Sequence, residues 1–288
     1  MIKNILGIAP KLEDDGSYSP SKVALSLAVS AKTDFVKVSY EKYQGPKSKI
    51  LVICTEQKDM QMENGKKFST GNHPVEAILP MLHLQDAGFY FNIVTPTGKP
   101  VVFEMWAMPN KDQNVINLYN EYEKEFENPG SLRDFVENSL DDDQSYAAVF
   151  VPGGHGAMLG IPEDLNVGKV LRWAHKNDLF TITLCHGPGS LLSTGLGENE
   201  FIYIDISSVE NGTGVILFDN FVIGNEAPSR ARRKVKNGDV LLSTVRPNLK
   251  AFGYLKNAPE NAVASTGFAV LTAKENVIPQ FVYYQLFG

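Results

Sequence analysis

The sequence predicts an α/β fold with a parallel sheet for its first two-thirds, followed by a mostly β segment. Two short, continuous hydrophobic runs, Ala147–Val151 and Phe180–Leu184, read as strands covered on both faces, and glycine follows each run closely. Val167–His175, between them, has the spacing of a helix. A strand, a helix and a second strand in this order form a right-handed crossover between parallel strands.

The elements before this unit continue the alternation of strands and helices. Residues 1–47 read as an irregular amino-terminal extension with one short helix, and Lys49–Thr55 is a strongly apolar first strand. The other predicted elements are a helix from after Asn72 to about Gly88, strands at Tyr90–Thr95 and Val101–Met105, helices at Asn114–Glu127 and Ser131–Leu140, and an apolar helix from Ser190.

After Gly195 the chain becomes β-rich. Asn211-Gly212 and Asn237-Gly238 are turn patterns, and only the segment after Pro279 looks helical. We therefore predict an extension at 1–47, an α/β domain at 48–197 and a mostly β domain at 198–288.

Composition and charge limit the location and the partners. The two cysteines form no CxxC pattern, no apolar run reaches membrane-spanning length, and the amino terminus lacks a secretion signal, so we expect a soluble protein of the reduced cytoplasm. The net charge is −6, yet residues 201–288 carry nine Lys and Arg against seven Asp and Glu. An acidic body with a weakly basic tail indicates two origins and different partners.

Cys185 is the strongest candidate for chemistry. It ends the second strand in the run Cys185-His186-Gly187-Pro188-Gly189, and a helix is predicted to follow. Such an elbow exposes a nucleophile, and a helix amino terminus with a neighbouring histidine favours the thiolate. The alternative is a buried structural cysteine at a strand end.

Glu76, Gly153 and Gly154 are further candidates. Glu76 lies at the start of a predicted helix. It would either be a helix-start residue that the helix dipole favours, or orient a reactive thiol and shuttle its proton. Gly153 and Gly154 would either form a tight turn or direct backbone N–H groups at an oxyanion. The Gly153 run lacks the lysine-Ser/Thr ending of a phosphate loop.

Residues from about 48 to 196 resemble the PfpI-like superfamily, in its bacterial heat-shock branch of glyoxalase III, protein deglycase and holding chaperone. The matching runs are KILVI, NGKKFSTGNHPVEAILP, EMWAMPNKD, YAAVFVPGGHGAMLGIPE, LRWAHKND and TLCHGPGSLLS. The resemblance implies a flavodoxin-like sandwich with helices on both faces, Cys185 as nucleophile, His186 as its partner and Glu76 beside the thiol. It also implies a 2-oxoaldehyde substrate such as methylglyoxal, converted to lactate without glutathione, and often a homodimer.

This chain departs from that branch in two ways. Some members carry a two-histidine, one-carboxylate metal site, but the corresponding positions here are Gln85, Tyr90 and Tyr122, so we expect no metal and no cofactor. The family continues past the cysteine helix to an aspartate that completes a triad with His186, and this continuation is missing. The sheet is therefore expected to be incomplete at its C-terminal end. Asp205 is the nearest downstream aspartate, and we expect it to serve a turn or a strand end instead.

Residues 201–288 resemble part of a target recognition domain from the DNA-specificity subunit of type I restriction-modification systems. The runs FIYIDISSVENGTGVI, NEAPSRARRKVKNGDVLLSTVRPNLKAFGYL, ASTGFAVLTA and PQFVYYQL carry this resemblance. It implies that a set of basic side chains lies near DNA; these are Arg230, Arg232, Arg233, Arg246 and Lys250. The alternative is a solvated basic face.

Three functions follow as hypotheses. The first is a cysteine-dependent glyoxalase III or deglycase of the stress response, impaired by the loss of the triad acid. The second is a DNA-specificity module, and the third is a holding chaperone of unfolded proteins that performs no chemistry.

Overall fold

The computed structural model describes residues 7–140, 145–245 and 247–286. The chain divides into two compact units, Met1–Thr194 and Gly195–Gly288. Arg246, predicted to lie near DNA, is outside the described residues.

The first unit alternates strands and helices. Its elements in chain order are β1 (Lys11–Leu12), β2 (Tyr18–Ser19), α1 (Lys22–Ala28), β3 (Lys49–Ile53), β4 (Asp59–Gln61), β5 (Lys67–Ser69), α2 (Pro74–Asp86), β6 (Tyr90–Thr95), α3 (Gln113–Glu121), α4 (Glu123–Glu127), β7 (Gly130–Ser131), α5 (Leu132–Asn138), β8 (Tyr146–Val151), α6 (Leu165–Lys176) and β9 (Phe180–Thr183).

A five-stranded parallel sheet forms the centre of this unit, in the order β7-β6-β3-β8-β9. Alternate residues of β3 enter different cores: Leu51 packs with α6 residues on one face, and Ile50 packs with α2 residues on the other. Because successive side chains of a strand point to opposite faces, helices cover both faces. The predicted α/β fold, a parallel sheet with helices on both faces, is confirmed.

Three sequence predictions about the elements of this unit were wrong. Phe180 on β9 is 75% exposed, because β9 is the outermost strand and pairs only with β8. Residues 101–105 form no strand and share a single bridge, Asn72 with Phe103, because the carbonyl of Val102 accepts from the Asn72 backbone and amide. After Cys185 the chain forms a 3₁₀ run, Gly187–Thr194, in place of an α-helix.

The amino-terminal extension is more ordered than its sequence indicated. The predicted short helix is α1, and β1 and β2 join β5 and β4 in a four-stranded sheet of order β1-β2-β5-β4. Tyr18 pairs with Phe68, so this sheet depends on contacts between residues far apart in sequence.

The second unit is mostly β, as predicted. Its elements are β10 (Glu200–Ile204), β11 (Phe221–Ile223), β12 (Ala231–Lys234), β13 (Val240–Ser243), β14 (Phe252–Tyr254), β15 (Ala262–Ser265), β16 (Phe268–Leu271) and α7 (Pro279–Gln285). Two sheets, β11-β10-β15-β12 and β14-β13-β16, contribute Ile204, Leu241 and Phe268 to one core. Across the described ranges of the chain, no helix is long and apolar enough to cross a bilayer.

Candidate functional site

Cys185 has a strained backbone at the end of β9. Its φ of 49° lies in the left-handed region, which residues other than glycine seldom occupy and which clusters at functional sites. Gly187 permits the tight turn that follows, since a Cβ there would overlap the carbonyl oxygen of Val151. The turn presents the Cys185 thiol at the surface, as expected for a nucleophile elbow.

His186 contacts the thiol with both its backbone and its ring. The ring nitrogen Nδ1 lies 3.6 Å from Cys185 Sγ. The backbone N–H of His186 lowers the pKa of Cys185 by hydrogen bonding to the sulfur. Sequence adjacency therefore becomes spatial contact at this turn.

Glu76 approaches the thiol through the space that Gly153 leaves. The carboxyl group comes from the first turn of α2, which Pro74 begins. A Cβ on residue 153 would overlap Glu76 Oε2 and would lie 2.8 Å from Cys185 Cβ. Glu76 Oε2 is buried. The structure thus brings Glu76, Gly153 and Cys185 together.

The electrostatic environment of the thiol differs from the sequence expectation. Burial and the carboxylate of Glu76 raise the pKa of Cys185, and these effects outweigh the hydrogen bond from His186. The expectation that the thiolate is favoured is therefore not met, and a 3₁₀ run takes the place of the expected α-helix after Cys185.

Gly153 and Gly154 combine a required turn with free donors. Gly154 has a φ of 111°, and a Cβ there would overlap the Gly71 carbonyl oxygen and the His73 nitrogen, so only glycine fits. Both residues are buried, and neither N–H donates to a protein group among the described residues. This geometry is compatible with both interpretations of the sequence, a tight turn and a pair of backbone N–H donors for an oxyanion.

A second imidazole beside the cysteine was not predicted. His155 lies with its ring centroid 5.3 Å from that of His186, and its Nδ1 is 2.7 Å from Glu104 Oε1. Glu104 is fully buried, and its hydrogen bond raises the pKa of His155. A histidine inside a glycine-rich loop after a predicted strand was the sequence feature that could have indicated it.

The positions that hold metal ligands in some members of the resembling branch do not fit a metal here. The amide of Gln85 donates to Glu121 Oε1 at 2.8 Å, and Tyr122 packs its ring on Phe91. Tyr90 is 68% exposed. An amide and two phenols do not form a two-histidine, one-carboxylate site, and no group of three His, Cys, Asp or Glu suited to a metal occurs in the described part of the chain.

Asp205 serves a turn in the second unit, as expected. Its carboxylate accepts from the backbone N–H groups of Ser207 and Ser208 at 2.8 and 3.1 Å and caps a 3₁₀ turn.

The basic side chains of the second unit are solvent-exposed. Arg232 and Arg233 lie on β12, an edge strand, Arg230 immediately precedes it, and Lys250 follows a turn before β14. In the ranges that the structure describes, none of these four forms an ion pair with a carboxylate. They are available to an anionic partner.

Comparison with known proteins finds matches to both of the families that the sequence resembles. The chain is 45% identical over 192 residues to the protein/nucleic acid deglycase HchA of Staphylococcus aureus (strain bovine RF122 / ET3-1), covering 66% of this chain and 66% of that protein. The HchA of strain NCTC 8325 / PS 47 matches with the same identity and coverage. The chain thus spans slightly less than two-thirds of the length of these relatives. No family model matches the chain.

Solved structures resemble different parts of the chain. The HsdS subunit from Thermoanaerobacter tengcongensis is 33% identical, covers 32% of this chain and 24% of that chain, and has a TM-score of 0.31. Glyoxalase III from Candida albicans is 21% identical, covers 56% of this chain and 68% of that chain, and has a TM-score of 0.42.

Proposed function

We propose that the first unit is a cysteine-dependent glyoxalase III or deglycase-type enzyme that acts on 2-oxoaldehydes such as methylglyoxal in the cytoplasm. One observation carries the proposal: Cys185 occupies a strained turn with His186 Nδ1 at 3.6 Å and the Glu76 carboxyl beside its Cβ. A thiol, an imidazole and a carboxyl group in contact are the components of covalent catalysis on a carbonyl.

The reaction needs no external oxidant. The thiol of Cys185 adds to the aldehyde carbon to give a hemithioacetal, and its proton ends on the aldehyde oxygen. The hydrogen of that carbon then moves to the ketone carbon as a proton, while the hydroxyl proton moves to the ketone oxygen. The aldehyde carbon is oxidised to a thioester and the ketone carbon is reduced to an alcohol. Water cleaves the C–S bond, which releases lactate and restores the thiol.

Gly153 and Gly154 are suited to the oxygen that becomes negative in these steps. Both residues are buried, and their N–H groups have no acceptor among the described residues, so they are available to an anion. A single donor of this kind contributes about 100-fold or more to the rate.

The proposal predicts methylglyoxal consumption that depends on Cys185 and not on glutathione. Cys185→Ala should abolish it, and lactate should appear in equal amount to the aldehyde consumed. The other cysteine, Cys54, provides an internal control for thiol labelling, because full burial raises its pKa to about 12. A Cys185→Ala protein that consumes methylglyoxal at the wild-type rate would exclude the proposal.

We further propose that turnover lies well below that of an intact relative. No carboxylate hydrogen-bonds to His186 in the described part of the chain, and loss of an orienting acid costs on the order of 10⁴ in rate in serine proteases. The comparison is with a purified Staphylococcus aureus deglycase, assayed side by side.

Holding-chaperone activity is a second proposal, favoured by exposed apolar side chains. Leu191 and Leu192 are 48% and 62% exposed on the 3₁₀ run that follows Cys185. Suppression of the aggregation of a heated client should survive Cys185→Ala if no chemistry is needed. Light scattering coupled to size exclusion tests the homodimer that the resemblance implies.

DNA binding by the second unit is the alternative function. A polyanion is favoured by four exposed cations that form no ion pair among the described residues: Arg230, Arg232, Arg233 and Lys250. Gel shifts on random duplex DNA at increasing salt should show retardation that weakens with salt. Retardation that is absent at low salt would exclude this function.

A further inference from the structure

Glu104 is a buried carboxylate that takes no part in the reaction steps proposed above. Its side chain is fully buried, and Oε1 accepts from Thr70 Oγ1 at 3.2 Å and from the backbone N–H of His155 at 3.0 Å. The third partner is His155 Nδ1 at 2.7 Å. These three hydrogen bonds all go to Oε1, whereas Oε2 is buried without a hydrogen-bond partner among the described residues, so the desolvation of the carboxylate is compensated at Oε1 alone.

This contact fixes the tautomer of His155. Since a carboxylate only accepts, Nδ1 must carry hydrogen and donate to Glu104, and in the neutral ring Nε2 then holds the free electron pair. Nε2 makes no hydrogen bond to the protein in the described part of the chain, and the His155 side chain is 39% exposed. His155 therefore offers an unoccupied, oriented base.

The ring of His155 belongs spatially to the cysteine site. It lies 5.3 Å from the His186 ring, between centroids, with 38° between the planes, and His186 in turn contacts Cys185. The ring of Phe68 packs edge-on against the His155 ring, with 5.5 Å between the centroids. His155 is the first residue of a 3₁₀ turn directly after Gly154, which positions it by backbone geometry.

Three groups in contact with or close to His155 carry charge. They are Glu104, Glu76 and, when protonated, His186. The two carboxylates favour the protonated ring, so His155 can hold a proton during a catalytic cycle and release it later.

We propose that His155, oriented by Glu104, is the base that moves the proton between the two substrate carbons at Cys185. This inference rests on the proposed function. Nε2 of His155 takes the hydrogen of the former aldehyde carbon as a proton while the electrons of that C–H bond form an enediolate, and the imidazolium returns the proton to the former ketone carbon, which leaves the neutral thioester. His155 is the catalytic residue and Glu104 its positioning residue, so a carboxylate–imidazole pair exists here although His186 has no orienting acid.

The first test removes the base and keeps the hydrogen bond. In His155→Asn the amide donates to Glu104 as Nδ1 does, but nothing replaces Nε2. Cys185-dependent methylglyoxal turnover is expected to fall about 100-fold or more, the usual contribution of a positioned base. Cys54, which is fully buried, should stay unlabelled by iodoacetamide while Cys185 is labelled, which shows that the fold is intact, and His175→Asn on the exposed surface of α6 should keep the wild-type rate.

The second test addresses the positioning role. In Glu104→Gln the loss of the carboxylate should let the pKa of His155 return toward its ordinary value, so the acidic limb of the rate profile should move to lower pH. A merely structural role for Glu104 would leave that limb in place. Added imidazole should partly restore His155→Ala.

The outcomes separate the two levels of the proposal. A wild-type rate in His155→Asn overturns the inference and leaves the proposed function intact. A wild-type chain without Cys185-dependent turnover overturns both.

Discussion

Substitution of Gly153 by alanine tests whether Glu76 controls the thiol. The added Cβ would lie 2.8 Å from Cys185 Cβ and 2.9 Å from the Leu184 carbonyl oxygen, and it would overlap Glu76 Oε2. Carbon atoms pack best at about 3.5–4.0 Å, so the carboxyl group must move by about 1 Å or more. The φ of Gly153 is not positive, so the strain comes from space alone.

The substitution should make labelling of the thiol faster, turnover slower and the fold less stable. Moving the carboxylate away should lower the pKa of Cys185, because Glu76 raises it, and iodoacetamide labelling at neutral pH should become faster. Methylglyoxal turnover should fall about 100-fold, the cost of misplacing a reacting group by about 1 Å. Overpacking should also lower the free energy of unfolding by about 1–3 kcal/mol.

Labelling rates measured from pH 6 to about 10, turnover and urea unfolding check these expectations together. Gly189→Ala is the matched control, since its Cβ would meet only Pro162 Cγ at 3.8 Å and its φ is ordinary. If Gly153→Ala labels with the wild-type pH profile and unfolds at the wild-type urea concentration, Glu76 does not act on the thiol through this space.

Four further outcomes are expected. Glu76→Gln should lower the pKa of Cys185 and slow turnover, measured by labelling and lactate release; an unchanged pH profile would remove Glu76 from the site. The hydrogen bond that raises the pKa of His155 stabilises the fold fully below its ordinary pKa of 6.5 and less as pH rises through the raised value, so Glu104→Gln should cost more stability in urea at low than at high pH. Asp205→Asn should leave turnover unchanged, since its carboxylate caps a turn, and should cost at most about 1 kcal/mol of unfolding free energy; a sharp loss of turnover in the folded variant would contradict this. Dialysis against EDTA should leave turnover unchanged, because an amide and two phenols occupy the metal positions; stoichiometric zinc in the purified protein would contradict this.

Strands and helices with strong local patterns were predictable from the sequence. The run Tyr90–Thr95 is a strand with the predicted bounds. The helix predicted at Val167–His175 is slightly longer in the structure, Leu165–Lys176. Hydrophobic spacing indicates both elements, and for α6 the capping residue Asp164 agrees with it.

Elements that depend on distant partners were not predictable. The pairing of Tyr18 with Phe68 closes a sheet across 50 residues of sequence, and no local pattern indicates it. Val101–Met105 has the composition of a strand, but its backbone groups bond to Thr55 and Asn72, which lie in loops.

The sequence predicted the local part of the site but not the contacts between distant residues. The strained turn at Cys185 follows from its strand–glycine context, whereas the pairing of Glu104 with His155 joins residues 51 positions apart. The pKa of Cys185 depends on burial and on Glu76, and neither effect can be read from the cysteine's neighbours in sequence.

In the part of the chain that the structure describes, β9 is the outermost strand of its sheet, and this position has a consequence for the protein in a cell. Native sheets protect edge strands with charged residues, proline or bulges, and the sequence of β9, Phe-Thr-Ile-Thr, contains no charge and no proline. Its first residue, Phe180, is 75% exposed. Such an edge is a template for strand addition by another polypeptide, so the protein's lifetime at high concentration depends on how quickly cellular quality control removes it relative to self-association.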